Sequence, residues 1–519
     1  MPNPNKKPNV LVIILDTLRR DRLSIYGNKQ ETSPNFDAFA SEATLFEWAI
    51  APAQWTVPSH ASLFTGLYPS THQLTEAGGV LSGSYPTLAE ILQVDGYHTV
   101  GFCNNPLVGV LNNGLQRGFN EFYNYAGAAV NRPLDMRKSA MRKAVSKRWY
   151  DFARNVGNKF ANSDTLFRMS MNPRLVPLWT RYINYNGHTE NSITDLIDYH
   201  KRHHTANNDT PFFGFLNLMG AHLPYRPPQD YVNKFASDIS KDKHAYKFMT
   251  RFNADAARWA SPSDPPLQAW ERAVIDGFYQ AEIAHQDYHL GRLLRYLKES
   301  GALEDTMVVI AADHGEGHGD HDFFGHSFVV YQELVHVPLA ISYPERFPIG
   351  KRISTNVSTR RIFHTILEAV GITPPIDEAD PNANVRDLSL ISSLNGKPDT
   401  ENGLVFAEAF PPQTFINLIQ HRKPELIERL YLNTVRRGIY EGEHKLAVVG
   451  DHIEGLFNVS NDPDEIHDVS TQNSNLVTSM QSKLHSFVKS AEHFRADGMA
   501  FAGVDPEIEN HLRALGYIE

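Results

Sequence analysis

Four short apolar runs constrain the fold of this 519-residue chain more than any other feature. Each is rich in branched apolar residues and lacks strict alternation, which is typical of a strand buried on both faces of a sheet. Segments with a helical pattern separate the runs, so we predict an α/β fold with a doubly wound, mostly parallel sheet. The runs are Asn9–Leu15, Tyr97–Cys103, Phe212–Leu218 and Met307–Ala311.

Polar residues follow each of these runs. Asp16, Asn105 and His222 follow the first three, and the pair Asp313–His314 follows the fourth. Because the carboxyl ends of parallel strands meet at one edge of a sheet, we expect these side chains to lie together. Carboxylates and imidazoles suit a divalent cation such as Mn²⁺, Mg²⁺, Zn²⁺ or Ca²⁺. A second ion is possible through further histidines, which are His222, His318, His321 or His326. A turn aspartate and a His-rich surface loop are the alternative interpretations.

The stretch from Trp55 to Gly66 predicts a helix that starts at the hydroxyl of Thr56. Pro58 suits a first helical turn, and Gly66 suits a helix end. At a helix N-terminus, free N–H groups and the positive end of the helix dipole favour an alkoxide or an anionic substrate. A nearby cation would lower the pKa of this hydroxyl. An ordinary capped helix is the alternative.

The chain is long enough for one large domain and one smaller domain. We predict that residues 1–395 form the catalytic α/β domain, with a helical insertion at about 125–210. Short strands dominate from about residue 400, so residues 396–519 are predicted to form an antiparallel subdomain. Its predicted elements are strands at 403–409, 434–439, 444–449 and 455–459 and helices at 475–492 and 506–516.

The net charge of −10 is unevenly distributed. Residues 132–181 contain 12 Lys/Arg and 3 Asp/Glu, so the rest of the chain carries −19. This asymmetry argues against a nucleic-acid binder and for one local basic segment. Apolar residues recur at spacings of three and four from Met141 to Phe160, and we interpret this stretch as an amphipathic helix with a solvated basic face. A lid that attracts an anionic substrate, a homo-oligomer contact and a membrane-surface helix are the alternatives.

The sequence also bears on the cellular compartment. The run from Val10 to Leu15 is too short to span a membrane, and Asp16 ends it in a way unlike a signal peptide. The single cysteine, Cys103, excludes an internal disulfide framework and fits a reducing compartment. We therefore expect a cytoplasmic protein without an integral membrane segment.

Several motifs along nearly the whole chain resemble the sulfatase branch of the alkaline-phosphatase superfamily. They include NVLVIILDTLRRDRLSIYG, TVPSHASLFTGLYPSTHQ, FLNLMGAHLPYRPP, VVIAADHGE and FNVSNDPDE. The resemblance implies a set of metal ligands, which are Asp16, Thr56, Asp313 and His314. It also implies that Thr56 is the nucleophile and that His222 lies near the leaving group. His326 falls where sulfatases have a substrate-binding lysine.

Departures from the sulfatase pattern bear on the chemistry. Sulfatases carry Cys or Ser at the position of Thr56 and oxidise it to formylglycine, an aldehyde that the β-methyl group of threonine prevents. His60 replaces the usual arginine, and Thr17 replaces a second acidic ligand. Asn104 and Asn105 lie where a Lys/His pair is expected. We therefore expect no formylglycine, and we predict that His60 and Asn105 bind substrate.

The predicted function is that of a metal-dependent hydrolase of small anionic esters. A threonine nucleophile resembles the phosphodiesterase and phosphoryl-transferase branches of the superfamily, so phosphate or phosphonate (di)esters are the first choice. His222 or His326 would stabilise charge or protonate the leaving oxygen. Sulfate esters, as in arylsulfatases, are the alternative substrates. A phosphoryl-group transferase would differ only in its acceptor, and a degenerate, non-catalytic protein of the same fold is the non-enzyme alternative.

Overall fold

A computed structural model describes most of the chain, namely residues 7–125, 189–205, 210–254, 262, 265–373, 385–394, 401, 403–496 and 500–501. The basic segment at 132–181, with its proposed oligomer contact, lies outside these residues. The helix predicted at 506–516 lies outside them as well. Both remain predictions.

The strands divide between two main sheets and two short ribbons. In chain order they are β1 (Asn9–Leu15), β2 (Thr44–Ile50), β3 (Gly79–Val80), β4 (His98–Cys103), β5 (Glu121–Asn124), β6 (Phe212–Leu218), β7 (Thr306–Ala311), β8 (Gly317–His318), β9 (Phe324–Gly325), β10 (His336–Ser342), β11 (Arg352–Ser358), β12 (Val405–Ala409), β13 (Arg436–Glu441), β14 (His444–Val449), β15 (His452–Asn458) and β16 (Ala500–Phe501). All four predicted apolar runs are strands.

The central sheet has eight strands in the order β11-β2-β10-β7-β1-β6-β4-β5. β1 pairs in parallel with β6 and β7, and β4 pairs in parallel with β5 and β6. β10 pairs in antiparallel fashion with β2 and β7, while β11 runs parallel to β2. The predicted α/β fold with a doubly wound, mostly parallel sheet is confirmed. Every residue from Val10 to Leu15 is buried, as expected for a strand in the middle of such a sheet.

The helices divide between the central sheet and the smaller sheet, against which Ser474–His493 packs. They are Pro34–Ser41, Thr56–Thr65, Pro69–His72, Leu88–Val94, Pro106–Gly109, Thr189–Thr205, Gln229–Phe235, Lys243–Ala254, Ala269–Glu299, Gln332–Val335, Ile362–Ala369, Val385–Leu388, Leu390–Ser393, Gln413–Arg422, Glu425–Arg429 and Ser474–His493. Within the described ranges, no helix has the length and apolar character needed to cross a bilayer.

The end of the predicted insertion belongs to the body of the protein. Helix Thr189–Thr205 packs against helix Ala269–Glu299, and its residues Ile193 and Leu196 are buried. His200 Nδ1 lies 2.8 Å from the hydroxyl of Tyr296 on the long helix. This part of the chain therefore contributes to the core beside the central sheet.

The smaller sheet is antiparallel, in the order β12-β13-β14-β15, as predicted. Its strands begin and end within three residues of the predicted limits, and the helix predicted at 475–492 spans Ser474–His493. Ile439, Leu446 and Leu456 from the sheet pack with Met480 of that helix in a second apolar cluster. The domain boundary at residue 395 remains a prediction.

The loop before Thr56 connects the two sheets. Ala53 forms a parallel bridge with Glu408 of β12. The buried side chain of Gln54 donates from Nε2 to the carbonyl oxygens of Ser327 (3.0 Å) and Phe410 (3.2 Å). One amide therefore joins this loop to the loop of His326 and to the smaller sheet.

Candidate active site

The structure brings the predicted metal ligands together at the carboxyl edge of the central sheet. Asp16 follows β1 directly, and Asp313 and His314 follow β7. Each of the three has one candidate ligand atom, and these atoms lie within 4.8 Å of one another. All three side chains are buried. Within the part of the chain that the structure describes, no other three such residues meet this distance.

Two asparagines hold Asp16. The Nδ2 groups of Asn105 and Asn217 donate to the same carboxylate oxygen, Oδ2, at 2.7 and 3.1 Å. Asn105 follows β4 and Asn217 lies in β6, so both come from strands on one side of β1. The other oxygen, Oδ1, is buried and accepts no hydrogen bond from any described residue.

Asp313 has the same division between its two oxygens. Oδ1 accepts from the backbone N–H groups of Thr17 (3.3 Å) and His314 (3.0 Å). Oδ2 is buried and has no donor among the residues described. Burial, together with the nearby Asp16 carboxylate, raises the pKa of Asp313 well above its ordinary value.

His314 presents a ring nitrogen to the two free carboxylate oxygens. Nδ1 donates to the carbonyl of Gly315 at 2.8 Å, which leaves the lone pair on Nε2. Nε2 lies 3.4 Å from Asp313 Oδ2 and 3.9 Å from Asp16 Oδ1. Burial, followed by the neighbouring His326, lowers the pKa of His314 well below its ordinary value. A neutral imidazole and two free carboxylate oxygens fit a divalent cation.

Thr56 lies beside this cluster at the start of helix Thr56–Thr65. Its Oγ1 is 3.3 Å from His314 Nε2 and 3.4 Å from Asn105 Nδ2. The predicted helix start is confirmed, and the helix ends at Gly66 with a φ of 72° that glycine favours. Ser59 donates to the backbone oxygen of Asp313 (2.7 Å), which ties this helix to the ligand loop.

His60 belongs to the same helix, one turn after Thr56, and is fully buried. Its Nδ1 donates to the carbonyl of Thr56 (2.9 Å) and lies 3.4 Å from Asp313 Oδ2. Its Nε2 is 3.4 Å from Asn217 Nδ2. Burial lowers the pKa of His60. Both ring nitrogens thus face protein groups, and the predicted contact of His60 with substrate remains a prediction.

His222 and His326 lie next to the ligand group. The ring of His326 is 4.6 Å from that of His314 and 5.2 Å from that of His222, between centroids. Nδ1 of His326 donates to Glu316 Oε1 at 2.8 Å. Burial lowers the pKa of His326, but the Glu316 carboxylate outweighs it and leaves this pKa above its ordinary value. Burial, followed by His326, lowers the pKa of His222.

The other histidines proposed for a second ion have different partners. His318 Nε2 lies 2.8 Å from the hydroxyl of Tyr225, and His321 pairs with Glu333 at 3.2 Å.

Thr17 turns its hydroxyl back to the carbonyl of Asp16 (2.7 Å). Its backbone has a φ of 58°, which is uncommon for a β-branched residue.

Asn217 and Glu316 were not singled out from the sequence. A signal existed for both, because an asparagine inside the apolar run FFGFLNL and a glutamate in DHGE are hard to bury without a partner. Neither residue belongs to a periodic pattern, and the spacing alone assigns them no role.

Comparison with known proteins shows what the chain is similar to. The family model described as Sulfatase matches residues 8–372. An arylsulfatase of Clostridium perfringens is 24% identical over 393 residues, which cover 71% of this chain and 74% of the relative. Arylsulfatase K of Xenopus laevis is 24% identical over 504 residues, covering 94% and 83%. The structure of a phosphonate monoester hydrolase of Agrobacterium radiobacter superimposes with a TM-score of 0.63, at 20% identity over 94% of this chain and 96% of that one.

Proposed function

The chain belongs to the sulfatase family of anionic-ester hydrolases, and from this membership we propose that it cleaves phosphate or phosphonate esters with Thr56 as its nucleophile. One observation carries the proposal. The hydroxyl of Thr56 lies at a helix start, 3.3 Å from His314 Nε2 and beside the Asp16 and Asp313 carboxylates. A threonine at this position keeps its encoded hydroxyl, since its β-methyl group prevents conversion to an aldehyde.

The free atoms of three side chains and the Thr56 hydroxyl would hold a divalent cation. The three are Asp16 Oδ1, Asp313 Oδ2 and His314 Nε2. A bound cation lowers the pKa of a coordinated hydroxyl and offsets the negative charge of an anionic ester. The candidate metals are Mn²⁺, Mg²⁺, Zn²⁺ and Ca²⁺.

The proposed reaction has two displacements at phosphorus. Thr56 releases its proton to solvent, and its Oγ1 attacks in line, so that a new P–O bond forms while the bond to the leaving oxygen breaks. His326 or His222 gives a proton to the leaving oxygen. Asn105 Nδ2, which lies 3.4 Å from Thr56 Oγ1, donates to a non-bridging oxygen of the transferred group.

Water completes the cycle. Its oxygen attacks phosphorus while one of its protons passes to the histidine that acted as the acid, and the P–O bond to Thr56 breaks. The Thr56 oxygen then regains a proton from solvent. If an alcohol replaced water in this step, the protein would be a phosphoryl-group transferase with the same residues in the same roles.

Sulfate esters are the second candidate substrates, because the relatives named above include arylsulfatases. Attack by Thr56 at sulfur would follow the same course. The phosphonate monoester hydrolase named above has the same fold. Its name places its substrates among the phosphonate esters, which belong to the first class of candidates.

A hydrolysis panel tests the proposal. Nitrophenyl phosphate mono- and diesters, phosphonate esters and sulfate esters share one leaving group, so that their rates compare the transferred group alone. We expect a phosphate or phosphonate ester to exceed the sulfate ester at least ~10-fold in kcat/KM with one of the four metals. A sulfate preference would support the second candidate. No turnover with any metal would indicate the degenerate, non-catalytic alternative.

A further inference from the structure

Asn217 occupies an unusual place for an amide. It is the one polar residue of β6, FFGFLNL, and its side chain is fully buried. Within the central sheet it lies between Ile14 of β1 and Cys103 of β4. An amide buried without hydrogen bonds destabilises a folded protein. Its bonds therefore show what the residue does.

Both N–H bonds of the Asn217 side chain point to acceptors in the candidate active site. One points to Asp16 Oδ2 at 3.1 Å and the other to His60 Nε2 at 3.4 Å. His60 in turn donates from Nδ1 to the carbonyl of Thr56. Asn217 thus connects the carboxylate after β1 with the first turn of the Thr56 helix.

The choice of oxygen on Asp16 carries the inference. Asn105 also donates to Oδ2, at 2.7 Å, so both amides occupy one oxygen and leave Oδ1 directed toward Asp313 and His314. With Asn105 alone, the carboxylate could rotate about its Cβ–Cγ bond without breaking a second hydrogen bond. Two donors from neighbouring strands fix the plane of the carboxylate.

We propose that Asn217 is a positioning residue that presents Asp16 to a divalent cation through a single oxygen. The inference rests on the metal site of the proposed function. Groups that orient a metal ligand in this way typically change metal affinity about 10–100-fold when they are removed. Asn217 does not touch the Thr56 hydroxyl in this arrangement, so its effect reaches the reaction through Asp16.

The test is a titration of the full-length, metal-free protein with Mn²⁺ and with Zn²⁺, against a competing chelator. Asn217→Leu keeps the approximate volume but removes both donors, and we expect its Kd for the metal to rise about 10–100-fold. Saturating metal should then return kcat most of the way toward the wild-type value. A purely structural role of Asn217 would change stability without this dependence on metal concentration.

Asn9→Leu is the matched control, since Asn9 is the first residue of β1 and Asp16 follows the last. Its Nδ2 donates to Asp305 and its Oδ1 accepts from the backbone of Phe212. We expect this variant to lose stability while its metal Kd stays within about twofold of the wild type. If Asn217→Leu does not fold, Asn217→Ala removes the same donors from a smaller side chain and is expected to weaken binding in the same direction.

The outcomes separate this inference from the proposed function. Metal binding that is lost in Asp313→Asn but unchanged in Asn217→Leu or Asn217→Ala would overturn the role of Asn217 alone. A wild-type protein without any Asp313-dependent metal binding would overturn both. Weaker binding in both Asn217 variants, with unchanged binding in Asn9→Leu, supports the inference.

Discussion

Among the buried ionisable side chains of the described residues, two pairs have contrasting surroundings, Asp16 with Asp313 and Lys445 with Glu465. Lys445 Nζ lies 2.6 Å from Glu465 Oε1 and also donates to a backbone carbonyl. Glu465 Oε2 accepts from the backbone N–H of Gln332 at 2.7 Å. Each charge of this pair has an opposite charge and further hydrogen bonds.

Asp16 and Asp313 have no opposite charge between them when both are ionised, and each has one oxygen that no described residue satisfies. A buried charge without a partner costs several kcal/mol, even after the protein relaxes around it. The Lys445–Glu465 pair holds the smaller sheet to the segment at Gln332, whereas the aspartate pair keeps two buried oxygens without a donor, as the proposed metal site requires. The predictions below test this distinction.

The largest expected effect is the loss of turnover when Thr56, which lies beside the aspartate pair, is replaced. Thr56→Ala removes the proposed attacking oxygen, so kcat should fall at least ~10³-fold, the scale seen when a nucleophile is removed. Thr56→Ser keeps that oxygen and should retain measurable activity. Steady-state kinetics on the best ester of the panel gives the comparison. A near wild-type rate in Thr56→Ala would mean that water is the nucleophile.

Removing one charge of the Lys445–Glu465 pair should instead destabilise the fold. Lys445→Met leaves Glu465 buried without its cation, and we expect a loss of about 3 kcal/mol in the free energy of unfolding. Chemical denaturation measures this loss. The double variant Lys445→Met/Glu465→Gln removes both charges and should recover much of it, because a neutral amide can still accept from Gln332. A single variant as stable as the wild type would contradict the expectation.

Asp313→Asn should have opposite effects on metal affinity and stability. It removes a ligand, so metal affinity should fall at least ~100-fold, the upper end of the range for groups that only orient ligands. It also removes a carboxyl whose ionised form is disfavoured by burial and by Asp16, so at a pH where Asp313 is ionised the metal-free variant should melt at a higher temperature than the metal-free wild type. Thermal unfolding in excess chelator checks the sign. A lower melting temperature would show that Asp313 stabilises the fold without a cation.

A third buried carboxylate, Glu282, gives the smallest expected effect. It accepts a hydrogen bond from the backbone of Arg226, and burial raises its pKa to about 8. An acid with a raised pKa in the folded state stabilises the protein below its unfolded pKa, and this stability is lost as pH rises toward the folded pKa. Between about pH 5 and pH 6, the wild type should therefore lose about 1 kcal/mol that Glu282→Gln does not lose.

Denaturant titrations of both proteins at the two pH values measure that difference in slope. The comparison between variants cancels the titration of all other groups that the substitution leaves unchanged. Parallel pH profiles would show that Glu282 is ionised in the folded protein at neutral pH.

The strands that carry the site were predictable because their composition is extreme. The runs ending before Asp16, His222 and Asp313 are almost wholly apolar, and the carboxyl-edge rule then predicts where the following side chains meet. Thr56 was predictable from a different signal, the proline and glycine that mark the two ends of its helix. Both signals are local in the sequence.

The sequence analysis did not predict four strands of the central sheet, which are β2, β5, β10 and β11. β10 contains Pro338, which argues against a central strand, and the structure accommodates it at an irregularity in the pairing with β2 between Val337 and Leu339. β11 exposes several of its residues at the sheet edge. The bonds of Asn217 and the Lys445–Glu465 pair depend on which strands become neighbours, and no spacing along the chain encodes that.

The bridge made by Gln54 affects how such a protein can be divided or recombined. Its amide holds the loop before Thr56 against the loop of His326 and against Phe410, beyond the predicted domain boundary. A gene fragment that stopped at residue 395 would encode a protein in which the loop before Thr56 lacks its hydrogen bond to Phe410. Exchange of the C-terminal segment between homologous genes would keep this contact only where the backbone of the incoming segment brings a carbonyl within reach of the Gln54 amide. The two halves are expected to be inherited, and engineered, as one unit.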